Sequence, residues 1–180
     1  MMVNRAREDT EEWKKGLRLE ENSTIANQPH NKLTKWQSPT SGSLKCNVDG
    51  GWRKDGTQSG LGWILRDKKG MVRWLGAKSC PHVRSVIETE AGGLRWAMIM
   101  ISSFGYSSVI FKTDSRSLVN AVHHPEDMLQ LNPIIQDIIH LINLFDEVKI
   151  IFNPRECNSV TDRITRETIF HESFAPKLYS

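Results

Sequence analysis

The amino-acid sequence predicts an α/β domain in which helices pack on a five-stranded mixed sheet. Three strand-like segments come first, a helical segment follows them, and strands and helices then alternate along the chain. The predicted order is β-β-β-α-β-α-α-β-α. This order joins a three-strand antiparallel meander to parallel strands, because hairpins connect antiparallel strands and helical crossovers connect parallel ones. Helices then cover the faces of the sheet.

Alternation and turn residues predict the three strands of the meander. Apolar and polar side chains alternate over residues 44–48, as in a half-buried strand, and Asp49-Gly50-Gly51 ends this strand. Residues 60–66 form the second predicted strand and residues 71–77 the third. Between them, residues 67–70 combine Asp, Lys and Gly as a turn does.

A helical period begins after the meander. Within residues 86–100 and just beyond, Leu94, Ala97, Met98 and Ile101 fall on one face at spacings of three and four. A fourth strand, a short helix, an isoleucine-rich amphipathic helix, a fifth strand and a last helix follow. They are predicted at residues 107–113, at 115–122, from 132, at 148–152 and at 158–166.

Changes in composition set the predicted domain limits. Residues 1–38 carry mixed charges and few β-branched residues, which predicts an N-terminal helix and a polar linker. Residues 39–172 form the predicted domain, and residues 173–180 form a C-terminal tail. The chain is 25% charged and 38% hydrophobic, which is typical of a globular protein. A net charge of +3 allows a nucleic-acid partner without requiring one.

The cysteines and the N-terminus indicate a cellular compartment. Cys46, Cys80 and Cys157 lack zinc-binding spacing, so we expect no structural zinc and a reducing environment. The first residues lack the apolar core of a secretory signal, and the longest apolar stretch, residues 97–101, is too short to span a bilayer. We therefore expect an intracellular monomer, in the cytoplasm or the nucleus, that makes no membrane contact.

Four acidic residues occupy positions from which they can meet. Asp49 ends the first strand and Asp114 the fourth, and parallel neighbouring strands would bring both to one edge of the sheet. Glu90 lies in the first long helix of the domain, and Asp162 lies on the last helix. Alone, each is equally compatible with a turn, a helix terminus or a solvated surface. Together they predict a crevice of like charges that Mg²⁺, which prefers oxygen ligands, would stabilise.

Four stretches share the motifs, order and spacing of one known family. They are Trp36-x-x-Pro39 with residues 44–50, residues 60–67, Glu88-Thr89-Glu90 with residues 94–97, and Thr113-Asp114-Ser115 with Pro154-Arg155-Glu156-x-Asn158-x-x-x-Asp162. On these residues the chain resembles type 1 ribonuclease H domains. More narrowly, it resembles the ribonuclease H-like domain of plant non-LTR retroelement reverse transcriptases and their freestanding relatives.

The resemblance implies a site and a reaction. Asp49, Glu90, Asp114 and Asp162 match the four metal-binding, catalytic carboxylates of the family, and Glu88 is left open as a rival of Glu90. The family's activity implies a metal-dependent endoribonuclease that binds RNA/DNA hybrids and hydrolyses the RNA strand. It also implies two bound Mg²⁺ or Mn²⁺ ions.

Four further residues are candidates for substrate contact. The resemblance implies Gly50 and Asn158, which adjoin the matched carboxylates. Arg116 follows the acidic turn of the fourth strand and could reach a phosphate. Trp52 follows the acidic turn of the first strand and is the tryptophan best placed to stack on a base. The tryptophans within predicted strands and helices are predicted to lie in the core.

Several departures from the family favour an alternative function. Phe152 stands where family enzymes often carry a histidine, and Thr165 stands where a small residue is usual. The loop over residues 123–131 is short and not basic, and Gly92 and Gly93 interrupt the helix that carries Glu90. The alternative is a catalytically weak or inactive nucleic-acid-binding module, derived from a retroelement, that keeps the ribonuclease H fold.

Overall fold

The computed structural model describes residues 42–54, 56–169 and 177–180. The strands are β1 (Leu44–Gly51), β2 (Gln58–Arg66), β3 (Val72–Pro81), β4 (Ser108–Thr113), β5 (Glu147–Phe152) and β6 (Lys177–Tyr179). The helices are α1 (Val86–Ser103), α2 (Arg116–His123), α3 (Asn132–Ile142) and α4 (Ser159–Ile169). The predicted N-terminal helix and linker, together with the motif residues Trp36 and Pro39, lie outside the described residues.

One mixed sheet organises the domain, and its strand order is β5-β4-β1-β2-β3-β6. The first three strands form the predicted antiparallel meander. β1 pairs in parallel with β4, which pairs in parallel with β5. The prediction that β1 lies inside the sheet beside β4 is confirmed. Because β1 and β4 run in the same direction, Asp49 and Asp114 emerge at the same edge of the sheet.

The predicted count of five strands was one short. The sixth strand, β6, falls within the predicted C-terminal tail and pairs antiparallel with residues 75–77 of β3. Its three residues are too few to show an alternating period, so no local pattern predicts this strand. The tertiary pairing with β3 creates this strand.

Helices pack on both faces of the sheet, and the larger apolar core lies on the face covered by α1 and α3. Phe111 from β4, Leu94 and Met98 from α1 and Ile135 from α3 are fully buried there. Trp63 is buried in the same cluster, and the other predicted core tryptophans, Trp74 and Trp96, pack against it. None of the described helices combines the length and the apolar character needed to cross a bilayer.

Close backbone contact between β1 and α1 explains two of the glycines. A Cβ atom at Gly50 would lie 2.7 Å from the backbone of Thr89 and Glu90, and one at Gly93 would lie 3.0 Å from the carbonyl oxygen of Asp49. Gly93 is therefore a contact residue, and packing against β1 explains why a glycine stands at this position of the helix. Gly92 differs, because a Cβ there would meet only the side chain of Leu61 at 3.8 Å.

We predict opposite effects on stability for these adjacent helix glycines. Gly92→Ala should raise the free energy of unfolding by up to ~1 kcal/mol, because alanine favours the helix and has space here. Gly93→Ala should give a protein less stable than Gly92→Ala by roughly 1–3 kcal/mol, since the new methyl group meets rigid β1 backbone. Urea denaturation of both variants beside the wild type measures the difference. Equal stability of the two variants would contradict the packing argument.

Candidate metal centre

Three carboxylates from three different elements meet at the edge of the sheet where β1 and β4 end. One oxygen from each of Asp49, Glu90 and Asp114 lies within 4.8 Å of the others. Among the described residues this is the one group of three or more potential metal-ligating side chains that lie this close together. The tertiary fold thus brings together three of the four predicted carboxylates.

Asp49 lies near the end of β1 and faces α4. Its side chain is 5% exposed, and its Oδ2 accepts a hydrogen bond of 2.5 Å from the hydroxyl of Thr165. In the sheet, Asp49 is the register partner of Gly62 on β2. A Cβ at Gly62 would lie 2.8 Å from Cγ2 of Thr165, so the missing side chain lets α4 come close to Asp49.

Glu88 and Glu90 make different contacts, because Glu88 takes part in the capping of α1. The hydroxyl of Ser85, the N-cap, accepts from the backbone N–H of Glu88 at 3.3 Å. The carboxylate of Glu88 in turn accepts from the N–H of Arg84 at 3.0 Å, which is a helix-capping role. Glu90, by contrast, is 5% exposed and belongs to the carboxylate group.

The protein supplies a hydrogen bond to only one of the two carboxylate oxygens of Glu90. The backbone N–H of Gly50 donates to its carboxylate. The second oxygen, Oε2, is buried and has no hydrogen-bond partner. A buried carboxylate oxygen without a partner is costly, which makes this atom a candidate ligand for a cation.

Burial and mutual repulsion make the three acids hard to ionise. The pKa of Asp49 is raised from 3.8 to about 6, mainly by burial and also by the charges of Asp114 and Asp162, while the Thr165 hydroxyl opposes the shift. Burial, then Asp49 and then Asp114, hold the pKa of Glu90 well above its usual range. The pKa of Asp114 is also raised, first by burial.

Asp162 lies beside this group and carries its own counter-charges. Its oxygens form ion pairs with Arg155 at 3.2 Å and with Arg166 at 2.9 Å. Both arginine side chains are more than 60% exposed, so each pair contributes at most about 1 kcal/mol and a divalent ion could displace it. The charge of Asp162 still acts on Asp49 and Asp114.

The donor set fits a hard divalent cation. Mg²⁺ and Mn²⁺ prefer carboxylate oxygens, and this group supplies three carboxylates. One of them, Glu90, has a buried oxygen without a hydrogen-bond partner. An ion at this position would also relieve the repulsion that raises the pKa values. Asp49, Glu90 and Asp114 would hold it, with Asp162 at the margin.

Asn158 lies away from any position open to substrate. Its side chain is 1% exposed, its amide donates to the carbonyl oxygen of Val48 at 3.0 Å, and its Oδ1 accepts from Asn47 at 3.1 Å. These bonds tie the start of α4 to β1. Asn158 therefore positions the helix that carries Asp162, and the predicted direct substrate contact conflicts with this burial.

The other predicted contact residues lie nearer to the surface. Trp52 is half-buried, donates to the carbonyl oxygen of Val83 at 2.9 Å, and stacks on His82 with ring centroids 5.4 Å apart. Arg116 is exposed, and its guanidinium lies 4.1 Å from the centroid of the Phe152 ring. Gly50, by contrast, lies against α1, and its lack of a side chain allows this close contact.

Sequence reasoning gave no role to two residues of the site. Thr165 donates to Asp49, and Arg155 pairs with Asp162 while lowering the pKa of Asp114. In the sequence, Thr165 stands out only as a departure from the small residue usual at this position. Its spacing of three from Asp162 places both on one side of α4, which was the one available signal.

This sheet order and acidic edge define the ribonuclease H-like class of fold. The chain belongs to the reverse transcriptase-like family, whose profile matches residues 47–168.

Solved structures agree on the fold at low sequence identity. Ribonuclease H1 from the halophilic archaeon Halobacterium salinarum is 20% identical, with a TM-score of 0.66 over 71% of this chain and 98% of its own. LC11-RNase H1 in complex with an RNA/DNA hybrid is 19% identical, with a TM-score of 0.58 over 70% of this chain and 96% of its own. The foamy viral protease-reverse transcriptase with RNA/DNA hybrid is 10% identical, with a TM-score of 0.57 over 81% of this chain and 22% of its own. Comparison with the curated proteins gives no match.

We predict that the acidic group makes the metal-free protein less stable as the pH rises. A carboxyl group whose pKa is raised by folding stabilises the native state at low pH and loses that contribution as pH increases. For Asp49 the window runs from 3.8 to about 6, which corresponds to at most roughly 3 kcal/mol. Asp49→Asn should therefore be more stable than the wild type at about pH 8 and nearly equal to it at about pH 4.

Urea unfolding in the presence of a chelator measures both proteins at each pH. Asp137→Asn serves as a matched control, because Asp137 is a carboxylate on α3 whose side chain is 50% exposed. Added Mg²⁺ should stabilise the wild type and leave Asp49→Asn unchanged. A wild type that gains stability over Asp49→Asn as the pH rises in the chelator would contradict the repulsion argument.

Proposed function

We propose that this domain is a metal-dependent endoribonuclease that hydrolyses the RNA strand of RNA/DNA hybrids. One observation supports the proposal above all others: three buried carboxylates from β1, α1 and the end of β4 meet within 4.8 Å. The family match and the fold shared with ribonucleases H agree with this chemistry. The domain would act as an intracellular monomer with Mg²⁺ or Mn²⁺ as cofactor.

The acidic group would bind the cofactor, and its neighbours would hold it in shape. When bound, one or two divalent ions would activate a water molecule and stabilise charge on the phosphate. Asp49, Glu90 and Asp114 would supply the ligands, and Asp162 would exchange its exposed arginine partners for a second ion. Because a water molecule would attack the phosphate, no covalent intermediate with the enzyme would be needed.

Two features near the surface could bind the nucleic acid. Arg116, stacked on Phe152 and two residues after Asp114, offers a cation for a backbone phosphate. The stacked pair of Trp52 and His82 offers an aromatic surface for a base. Selection for RNA would depend on 2′-hydroxyl contacts and on groove shape rather than on reading of base edges.

A second candidate function is nucleic-acid binding with weak or no catalysis. The observation in its favour is Phe152, which lacks a titratable group at the position where family enzymes often carry a histidine. Its ring holds the guanidinium of Arg116 instead. In this alternative the acidic group retains a cation and binds a phosphate, and hydrolysis is slow.

We predict Mg²⁺- or Mn²⁺-dependent cleavage of a labelled RNA strand paired with DNA. Asp49→Asn should abolish this cleavage, because it removes a buried ligand, whereas Asp137→Asn should cleave like the wild type. Single-stranded RNA and duplex DNA are the comparison substrates, read on denaturing gels. Binding of the hybrid without metal-dependent cleavage would leave the second candidate function as the correct one.

We also predict that Phe152→His raises the cleavage rate. Acid–base assistance is worth ~10²–10⁴-fold in general, and a non-essential proton shuttle should contribute at or below the low end of that range. Phe152 is half-buried at the end of β5 and lies outside the main core cluster, so the imidazole should be tolerated. Phe152→Leu, checked for folding by circular dichroism, separates the imidazole effect from loss of the ring. Equal rates for Phe152→His and Phe152→Leu would show that the histidine position has no catalytic role here.

A further inference from the structure

Thr165 differs from Thr168, another buried threonine of α4, in where its hydroxyl points. Its Oγ1 lies 2.5 Å from Asp49 Oδ2 and 2.8 Å from the carbonyl oxygen of Asp162. Thr168, one turn later and also buried, contacts only carbonyl oxygens of its own helix, those of Ile164 at 2.6 Å and Thr165 at 3.0 Å. Back-bonding within the helix is ordinary for a threonine, but a bond to a carboxylate on another element is not.

The fold is shaped to allow this contact. Thr165 packs against Gly62, where a Cβ would lie 2.8 Å from the threonine methyl group. Gly62 is the register partner of Asp49, so β2 opens the space directly beside the carboxylate that Thr165 reaches. The start of α4 is tied to β1 by Asn158. Thr165 is therefore held in place by both strands.

A hydroxyl has one hydrogen, so it can serve Asp49 or the Asp162 carbonyl, but not both at once. When Asp49 is ionised, its charge makes the bond from Thr165 the stronger of the two. One lone pair of Oδ2 is then engaged, which leaves Oδ1 as the more available oxygen for a cation. Binding through a single oxygen suits the octahedral shell of Mg²⁺, whereas Ca²⁺ also accepts both oxygens of one carboxylate.

We infer that Thr165 is a positioning residue that restricts Asp49 to binding a cation through one oxygen, and so makes the site selective for Mg²⁺ over Ca²⁺. This inference rests on the metal site of the proposed function and concerns its specificity. Thr165 itself touches neither the cation nor the substrate. It acts through the carboxylate that it orients.

Calorimetry with Mg²⁺ and with Ca²⁺ alone tests the inference without any activity assay. Thr165→Val keeps the shape of the side chain and removes the hydroxyl. It should weaken Mg²⁺ binding by ~10–100-fold, as loss of an outer partner of a metal ligand typically does. Binding of Ca²⁺ should change much less. The ratio of the Kd for Ca²⁺ to the Kd for Mg²⁺ should therefore fall.

Two matched variants separate orientation from stability. Thr165→Ser keeps the hydroxyl and should keep the wild-type ratio. Thr168→Val removes a second buried hydroxyl from the same helix and should leave the ratio unchanged, because this hydroxyl contacts only carbonyl oxygens of α4. Thr165→Ala is a second test should Thr165→Val fail to fold. An unchanged ratio in the Val or Ala variant, or an equal change in Thr168→Val, would overturn the inference.

The wild type alone provides an independent measurement. Carbon chemical shifts of the Thr165 side chain should stay nearly constant when Mg²⁺ is added and move when Ca²⁺ is added, because Ca²⁺ would compete for Oδ2. Equal movement with both ions would also overturn the inference. If the wild type binds neither ion, the metal site itself is wrong and the inference falls with it. If the wild type binds Mg²⁺ and cleaves the hybrid while the ratio is insensitive to Thr165, only the inference falls.

Discussion

The close contact between the end of β1 and the first turns of α1 is the constraint on which the site depends. Gly50 and Gly93 let the two backbones touch where any side chain would separate them. Because of this contact, the N–H of Gly50 reaches the carboxylate of Glu90, and Glu90 reaches Asp49. A helix displaced by the thickness of one methyl group would carry Glu90 away from the other acids.

The acidic edge illustrates how a site can be built at the expense of stability. Three carboxylates lie in a place where burial and mutual repulsion raise their pKa values. Hydrogen bonds from Gly50 and Thr165 and the charge of Arg155 offset part of that cost. The remaining cost is the source of cation affinity, because an ion bound only by the native state stabilises that state.

Much of the fold and part of the site could be predicted from the sequence, because their signals are local. Alternation marked β1, and the spacing of apolar residues marked α1, so the element order and the parallel pairing of β1 with β4 followed from connection rules. Asp49 and Asp114 were recognisable because each comes at the end of a buried strand. Two parallel neighbouring strands deliver such residues to one edge whatever the packing around them.

Local sequence patterns predict which residue types reach the edge of the sheet, whereas long-range packing assigns each of them its contacts. Glu88 and Glu90 differ by two positions on one helix, and capping by Ser85 assigns the first to the helix terminus. Asn158 is turned inward by bonds to a strand 110 residues earlier in the chain. Thr165 meets Asp49 across 116 residues. Such pairings depend on strand register and helix approach over long separations, which no local pattern of residues encodes.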